Sequence, residues 1–148
     1  MPTGKTNEQN PGDWFDFAQE RWLAARLVWS EKQLAASATE LLQEAIERYL
    51  KGYLIANGWS LVRTHDLAAL LKAATNYDAE FQRFASMTIE LTENFFAQHY
   101  PGGDLTEIAG DYENLQGLSG ELIELIEAKL PHYFKTDPVE SNDEDASE

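Results

Sequence analysis

The sequence predicts an all-α fold, an antiparallel up-and-down four-helix bundle with one short extra helix, and three observations support that prediction. Apolar residues recur three or four apart over four separate stretches, which is the period of a helix face. No stretch shows the apolar–polar alternation of a half-buried strand. The stretches are separated by short connectors carrying turn residues, Asn57-Gly58 and Pro101-Gly102-Gly103 among them, the spacing of an antiparallel bundle. No internal repeat of solenoid type is present.

In chain order, residues 1–12 hold Pro, Gly, Asn and Gln without periodicity and read as a disordered leader. Asp13 has the character of an N-cap, with Asp16 as an acid in the first turn. Trp14, Ala18, Trp22, Ala25 and Trp29 then fall on one face of a first helix ending near Ser30-Glu31. Tryptophans at this spacing read as core or dimer interface before they read as a ligand-stacking surface.

The stretch from Ser37 to His65 is the centre of the design. Leu34, Ala38, Leu41, Ala45, Tyr49, Tyr53 and Ala56 form one apolar row, and Leu42, Ile46, Leu50 and Leu54 form a second beside it. Two rows make a wide buried sector, so this helix is expected to touch partners on both flanks. The remaining strip, with Glu40, Glu44, Glu47, Arg48 and Lys51, is expected to be exposed. Glu44–Arg48 and Glu47–Lys51 would pair across one turn with the acid N-terminal, the favourable order. Asn57-Gly58 supplies a left-handed stop.

Trp59 and Leu61 follow in a connector, and Thr64 is a plausible N-cap for a short helix through Leu67, Leu70 and Leu71. Asn76-Tyr77-Asp78 opens the next helix, whose stripe is Phe81, Phe84, Thr88, Leu91 and Phe95. Leu115, Leu118, Leu122, Leu125 and Leu130 mark the last helix, while Gly110, Gly117 and Gly120 blur where it begins. The bundle therefore spans 13–130. From Pro131 to Glu148 the chain reads as an acidic, disordered tail.

At 148 residues with 43% hydrophobic content, the chain fits one domain with a sizeable core. It has no apolar run long enough to span a membrane and no secretory h-region at its start, so a cytoplasmic location is expected. With no cysteine there are no disulfides and no thiolate metal ligands. Eleven bases against 26 acids give a formal net charge of −15. Phosphate backbones are bound through clusters of lysine and arginine, so direct binding of polymeric nucleic acid is disfavoured.

The residues of the central stretch also carry a family likeness. Ala45, Glu47, Tyr49-Leu50-Lys51, Gly58 and then Thr64-His65-Asp66-Leu67 resemble the central helix and following segment of the HEPN domain family. Ala97-Gln98-His99-Tyr100-Pro101 resembles a third segment of that family, with His99 where arginine is usual. The likeness covers roughly Asp13 to Leu130 and rests on the order and spacing of the pieces. It implies a small helical bundle of a bacterium or archaeon, and it implies a partner. Similar proteins are encoded beside a minimal nucleotidyltransferase and form toxin–antitoxin or defence pairs with it.

The resemblance also frames the chemistry. Ribonucleases of the family use an arginine followed about four to six residues later by histidine near the start of the last helix. There the histidine moves protons at the 2′-hydroxyl and the arginine stabilises developing charge. The histidines here are His65, His99 and His132. Arg63 is too close to His65, Arg83 precedes His99 by sixteen residues, and only Lys129 lies just ahead of His132. The motif is absent, and the expectation is a chain that is not an enzyme. No His-x₃-His or Glu-x-x-His spacing suggests a metal, and no cofactor is expected.

What is left is a candidate anion pocket at Lys51, Arg63, His65, Asp66 and His99, suited to one nucleotide phosphate. The bland alternative makes Thr64 or Asp66 a helix start and His65 a hydrogen-bonding part of the connector. The best-supported expectation is a non-catalytic HEPN protein, homodimeric through its bundle and partnered with a nucleotidyltransferase. The alternatives are a ribonuclease with a displaced site and a plain dimerisation module.

Overall fold

The computed structural model describes residues 4–99, 101–102 and 105–134, and among them every regular element is a helix. Helix α1 spans Pro11–Lys32, α2 Ala35–Ala56, α3 Leu67–Tyr77, α4 Ala85–Ala97 and α5 Leu105–Lys129. A 3₁₀ turn, Ala79–Phe84, leads into α4, and another, Pro131–Tyr133, follows α5. The fold is the all-α bundle expected, with α3 as the short extra helix. No helix among the described residues is long and apolar enough to cross a membrane.

Helix α2 is the axis, packing against α1, α3, α4 and α5. From Leu42 to Leu54 it is buried on nearly every side, and its burial includes Thr39, Gln43, Glu47 and Lys51 as well as the two apolar rows. The expected exposed strip is thus half lost. Glu40 stays exposed, Glu44 turns to Arg21 of α1 at 3.1 Å, and Glu47 and Lys51 lie inside. A helix wrapped by four neighbours has no solvent face along most of its length, so periodicity alone misplaces its charged residues.

The end of α2 follows its sequence closely. Gly58 takes φ +90°, Trp59 N–H donates to Leu54 O and Gly58 N–H to Ile55 O, each at 3.0 Å. This pair of bonds closes the last turn on a left-handed glycine. Elsewhere the boundaries move. Helix α1 begins at Pro11, capped by Asn10, whose Oδ1 accepts from Gly12 N–H at 3.0 Å. Proline suits this first helical position because its missing N–H would have no partner there. Asp66, not Thr64, caps α3 by accepting from Ala69 N–H at 3.2 Å, and Thr64 Oγ1 accepts from Asp66 N–H.

Two contacts at the corners extend the bundle. Asp78 caps the 3₁₀ turn by accepting from Glu80 N–H at 3.0 Å. Lys129, at the end of α5, bonds to both Asp78 and Glu80. The Lys129 hydrogen bond, reinforced by the Glu80 N–H, holds the Asp78 carboxyl below its ordinary value. Past Pro131, Tyr133 and Phe134 pack on Phe15 of α1, with ring centroids 5.4 and 4.7 Å away. The folded body therefore reaches Phe134, four residues beyond the expected boundary, because two aromatic side chains there find an apolar seat. The rest of the acidic tail, from 135 onward, lies outside the described residues.

The tryptophans of α1 are engaged within the chain. Trp29 stacks on Tyr112 at 4.9 Å and donates to Glu113, and Trp22 lies over Gly120 with Arg26 across its ring. What α1 turns outward instead is Leu23 and Leu27, one turn apart and each about half exposed.

Gly52 explains how α1 approaches α2 so closely. A Cβ built there would stand 2.6 Å from Cε1 of Phe15 and 2.9 Å from its Cδ1. That ring is fully buried against Tyr49, Tyr133 and Phe134, so moving it would disturb three aromatic neighbours. Gly52→Ala gains about 1 kcal/mol of helix propensity but overpacks this contact. The expected net loss is about 1–3 kcal/mol, read as a lower melting temperature; an unchanged or raised melting temperature would show that Phe15 can yield.

Candidate functional site

The residues singled out from sequence divide into a group that the fold brings together and one it does not. Lys51, Arg63, His65 and Asp66 lie around the C-terminal part of α2 and the connector from Asn57 to Asp66. His99 lies beyond the end of α4, where its Nδ1 contacts Phe95 O at 2.9 Å and its ring packs on Phe95. There it borders Ser37 and Glu40 in the first turns of α2. Eleven residues of helix separate Glu40 from Lys51, about 16 Å of rise, so His99 does not share a ligand with Lys51.

At the centre is Glu47, a residue sequence reasoning placed on an exposed strip. Its side chain is 7% exposed and that of Lys51 is 6% exposed. Lys51 Nζ donates to Glu47 Oε2 at 2.9 Å. His65 Nδ1 lies 3.0 Å from Oε1 and 3.1 Å from Oε2 of the same carboxylate. Because Glu47 already accepts from an ammonium group, Nδ1 is the donor, which fixes that ring nitrogen as N–H. The rest of the ring is in solvent, the side chain being 89% exposed.

Three elements build this arrangement. The i,i+4 spacing on α2 sets Lys51 one turn above Glu47. The connector delivers His65, held by Gln43 Nε2 donating to its carbonyl at 3.2 Å and by the cap that Asp66 makes for α3. Helix α1 contributes Trp14, whose ring lies 5.5 Å from Lys51 Nζ and adds a cation–π contact. The ion pair thus has an indole against its ammonium group and an imidazole against its carboxylate.

Arg63 takes another path. Its NH2 donates to both carboxylate oxygens of Glu8, at 2.6 and 2.7 Å. Glu8 O in turn accepts from Trp14 Nε1 at 2.8 Å, and Asn7 N–H donates to Asp13 Oδ2 at 2.8 Å. The last residues of the expected leader are therefore laced to α1 and to the connector. The sequence signal for this was slight: an isolated acid, Glu8, in a polar segment.

Chemically, the cluster pairs its cations with carboxylates. Lys51 and His65 share Glu47, Arg63 holds Glu8, and Asp66 serves as a helix cap. An incoming phosphate would have to displace an acid from each cation it meets. Among the described residues, no three histidine or acid side chains gather as a metal would require.

His65 and Arg63 should differ in what they hold. His65→Ala removes the link that the described residues show between the connector and the buried carboxylate, with an expected cost of about 1 kcal/mol and faster amide exchange from Thr64 to Asp66. Arg63→Ala breaks an exposed pair and should change stability by about 0–1 kcal/mol. Denaturant melts with hydrogen exchange check both, and equal effects at the two positions would count against the assignment.

Comparison with known proteins gives one finding of family and two of absence. The family model described as the HEPN domain matches residues 12–130. No curated protein and no solved structure matches the chain.

Proposed function

The chain belongs to the HEPN domain family, and on that premise we propose that it is a non-catalytic member, acting as partner subunit to a minimal nucleotidyltransferase in a toxin–antitoxin or defence pair. The observation that supports this reading is what α5 carries. Ribonucleases of the family place arginine and histidine near the start of the last helix, whereas Lys129, in the final turn, is the sole base in α5. The helix thus lacks the histidine that moves the proton and the arginine that stabilises the phosphorane in those ribonucleases. In such a pair the transferase supplies the metal and the chemistry, and this chain supplies a substrate-binding or regulated surface.

Self-association fits the same reading. Leu23 and Leu27 lie on the outward side of α1, and an isologous dimer would cover them. A nucleotide phosphate drawn to Lys51, Arg63 and His65 competes with Glu47 and Glu8. Its affinity is therefore set at high micromolar or weaker, about 5 kcal/mol.

A second reading, ribonuclease activity from a displaced site, has one observation in its favour. Glu47 fixes the tautomer of His65 and leaves its Nε2 side in solvent, as a general base requires. Against it, the neighbouring Arg63 is held by Glu8, so its guanidinium does not stand ready for the phosphorane.

Light scattering on the chain, alone and co-expressed with the product of the adjacent reading frame, tests the proposal. The chain alone is expected at twice its 16.7 kDa mass, and the co-expressed pair as a larger stable complex that leaves RNA uncut. A strict monomer at micromolar concentration with no complex would sink the partner reading. RNA cleavage that survives chelation and disappears in His65→Ala would establish the enzyme instead.

A further inference from the structure

A cavity of about 270 Å³ opens between the segment before α1, the first turns of α1 and the middle of α2. It adjoins the Glu47 cluster, sharing with it Trp14 and the Glu8 that holds Arg63. It is lined by the aromatic residues Trp14 and Phe17, by Arg21 and Arg48, by the acids Glu8 and Asp13, and by Thr6 and Asn7. We propose that this cavity is a binding site for a small planar aromatic carboxylate.

The charge states of the lining groups point to that class. Both lining acids have partners: Glu8 accepts from the Arg63 guanidinium, and Asp13 accepts from the Asn7 N–H. Arg21 is partly occupied, its Nε donating to Glu44 at 3.1 Å. Arg48 differs from these. Its NH1 donates to the backbone carbonyl of Glu44 at 3.1 Å, and it makes no carboxylate ion pair among the described residues. That bond anchors the guanidinium at the cavity while most of its five donors stay available.

Guanidinium forks match the two oxygens of a carboxylate, and flat aromatic walls match a ring. Trp14 is preset, with its Nε1 tied to Glu8 O, so the wall needs little ordering when a ligand enters. Size and charge set the limits. The volume lies just below the usual range of small-ligand sites, about 300–1,000 Å³, and limits a ligand to one or two fused rings with a single acid group. Glu8, Asp13 and Glu44 nearby, on a chain of net charge −15, disfavour a dianion or polyanion.

The test is calorimetry of the full-length protein with 2-naphthoate, set against its uncharged counterpart 2-naphthalenemethanol. Saturable binding of the naphthoate is expected, with the alcohol weaker by about tenfold or more. Arg48→Gln should weaken the naphthoate by a similar factor. Arg48→Lys, which keeps the charge but loses the fork, should weaken it by less. Thermal melts confirm that each variant is folded, and Arg83→Gln, on an exposed pair with Glu121, should bind as the wild type does. Absence of binding at about 1 mM, equal affinity for acid and alcohol, or displacement by equimolar inorganic phosphate would each overturn the assignment. The comparison of acid with alcohol needs no variant, so the proposal stays open to refutation if Arg48 proves essential for folding.

Discussion

Burying an ion pair is costly, and this fold does it at the midpoint of its own axis. Taking a carboxylate and an ammonium group out of water costs several kcal/mol for each ion, and the loss is offset only where geometry is good and the remaining lone pairs are met. Glu47 has both conditions: Lys51 at 2.9 Å, and His65 bridging both oxygens. Much else is constrained by that requirement. The connector after Gly58 must return to α2 so that His65 reaches the carboxylate, Gln43 must hold the His65 carbonyl, and Asp66 must start α3 immediately afterwards. Trp14 must cover Lys51, which fixes how the beginning of α1 lies on α2.

The same requirement bears on function. On a strongly acidic chain, a histidine and two cations drawn together look at first like an anion trap. Here each is matched by an acid, and the cluster acts first as a clasp between α2, the connector and the segment before α1. That is the bland alternative offered by the sequence, and it is compatible with the partner subunit proposed above. Arg48, which makes no carboxylate ion pair among the described residues, lines the adjoining aromatic cavity.

Much of the fold was legible in the sequence because periodicity, caps and glycines act locally. The double apolar row foretold a helix contacted from several sides, and Gly58 ended it where the sequence said it would. The charged strip was misjudged for a reason that no local rule contains. Whether Glu47 and Lys51 are wet or dry depends on α1 and the connector crossing over them, a consequence of tertiary packing. Tyr133 and Phe134 were assigned to the tail because a proline and an acidic run surround them, and their seat on Phe15 is visible only once α1 is placed. Within the candidate site, Lys51 and His65 were grouped correctly in space, whereas Arg63 turned to Glu8. His99 lies at the opposite end of α2, a separation that only the path of α4 reveals.

The central claim is that Glu47 and Lys51 are a mutually dependent buried pair. Denaturant unfolding of the wild type, Glu47→Leu, Lys51→Met and the double variant tests it most directly. Each single variant strands one buried charge and should lose about 3–5 kcal/mol. The double variant should lose far less than the sum of the two, leaving a coupling energy of roughly 2 kcal/mol or more. Losses that simply add, or single losses below about 1 kcal/mol, would mean that the two charges act independently or are solvated, and the account built on them would not stand.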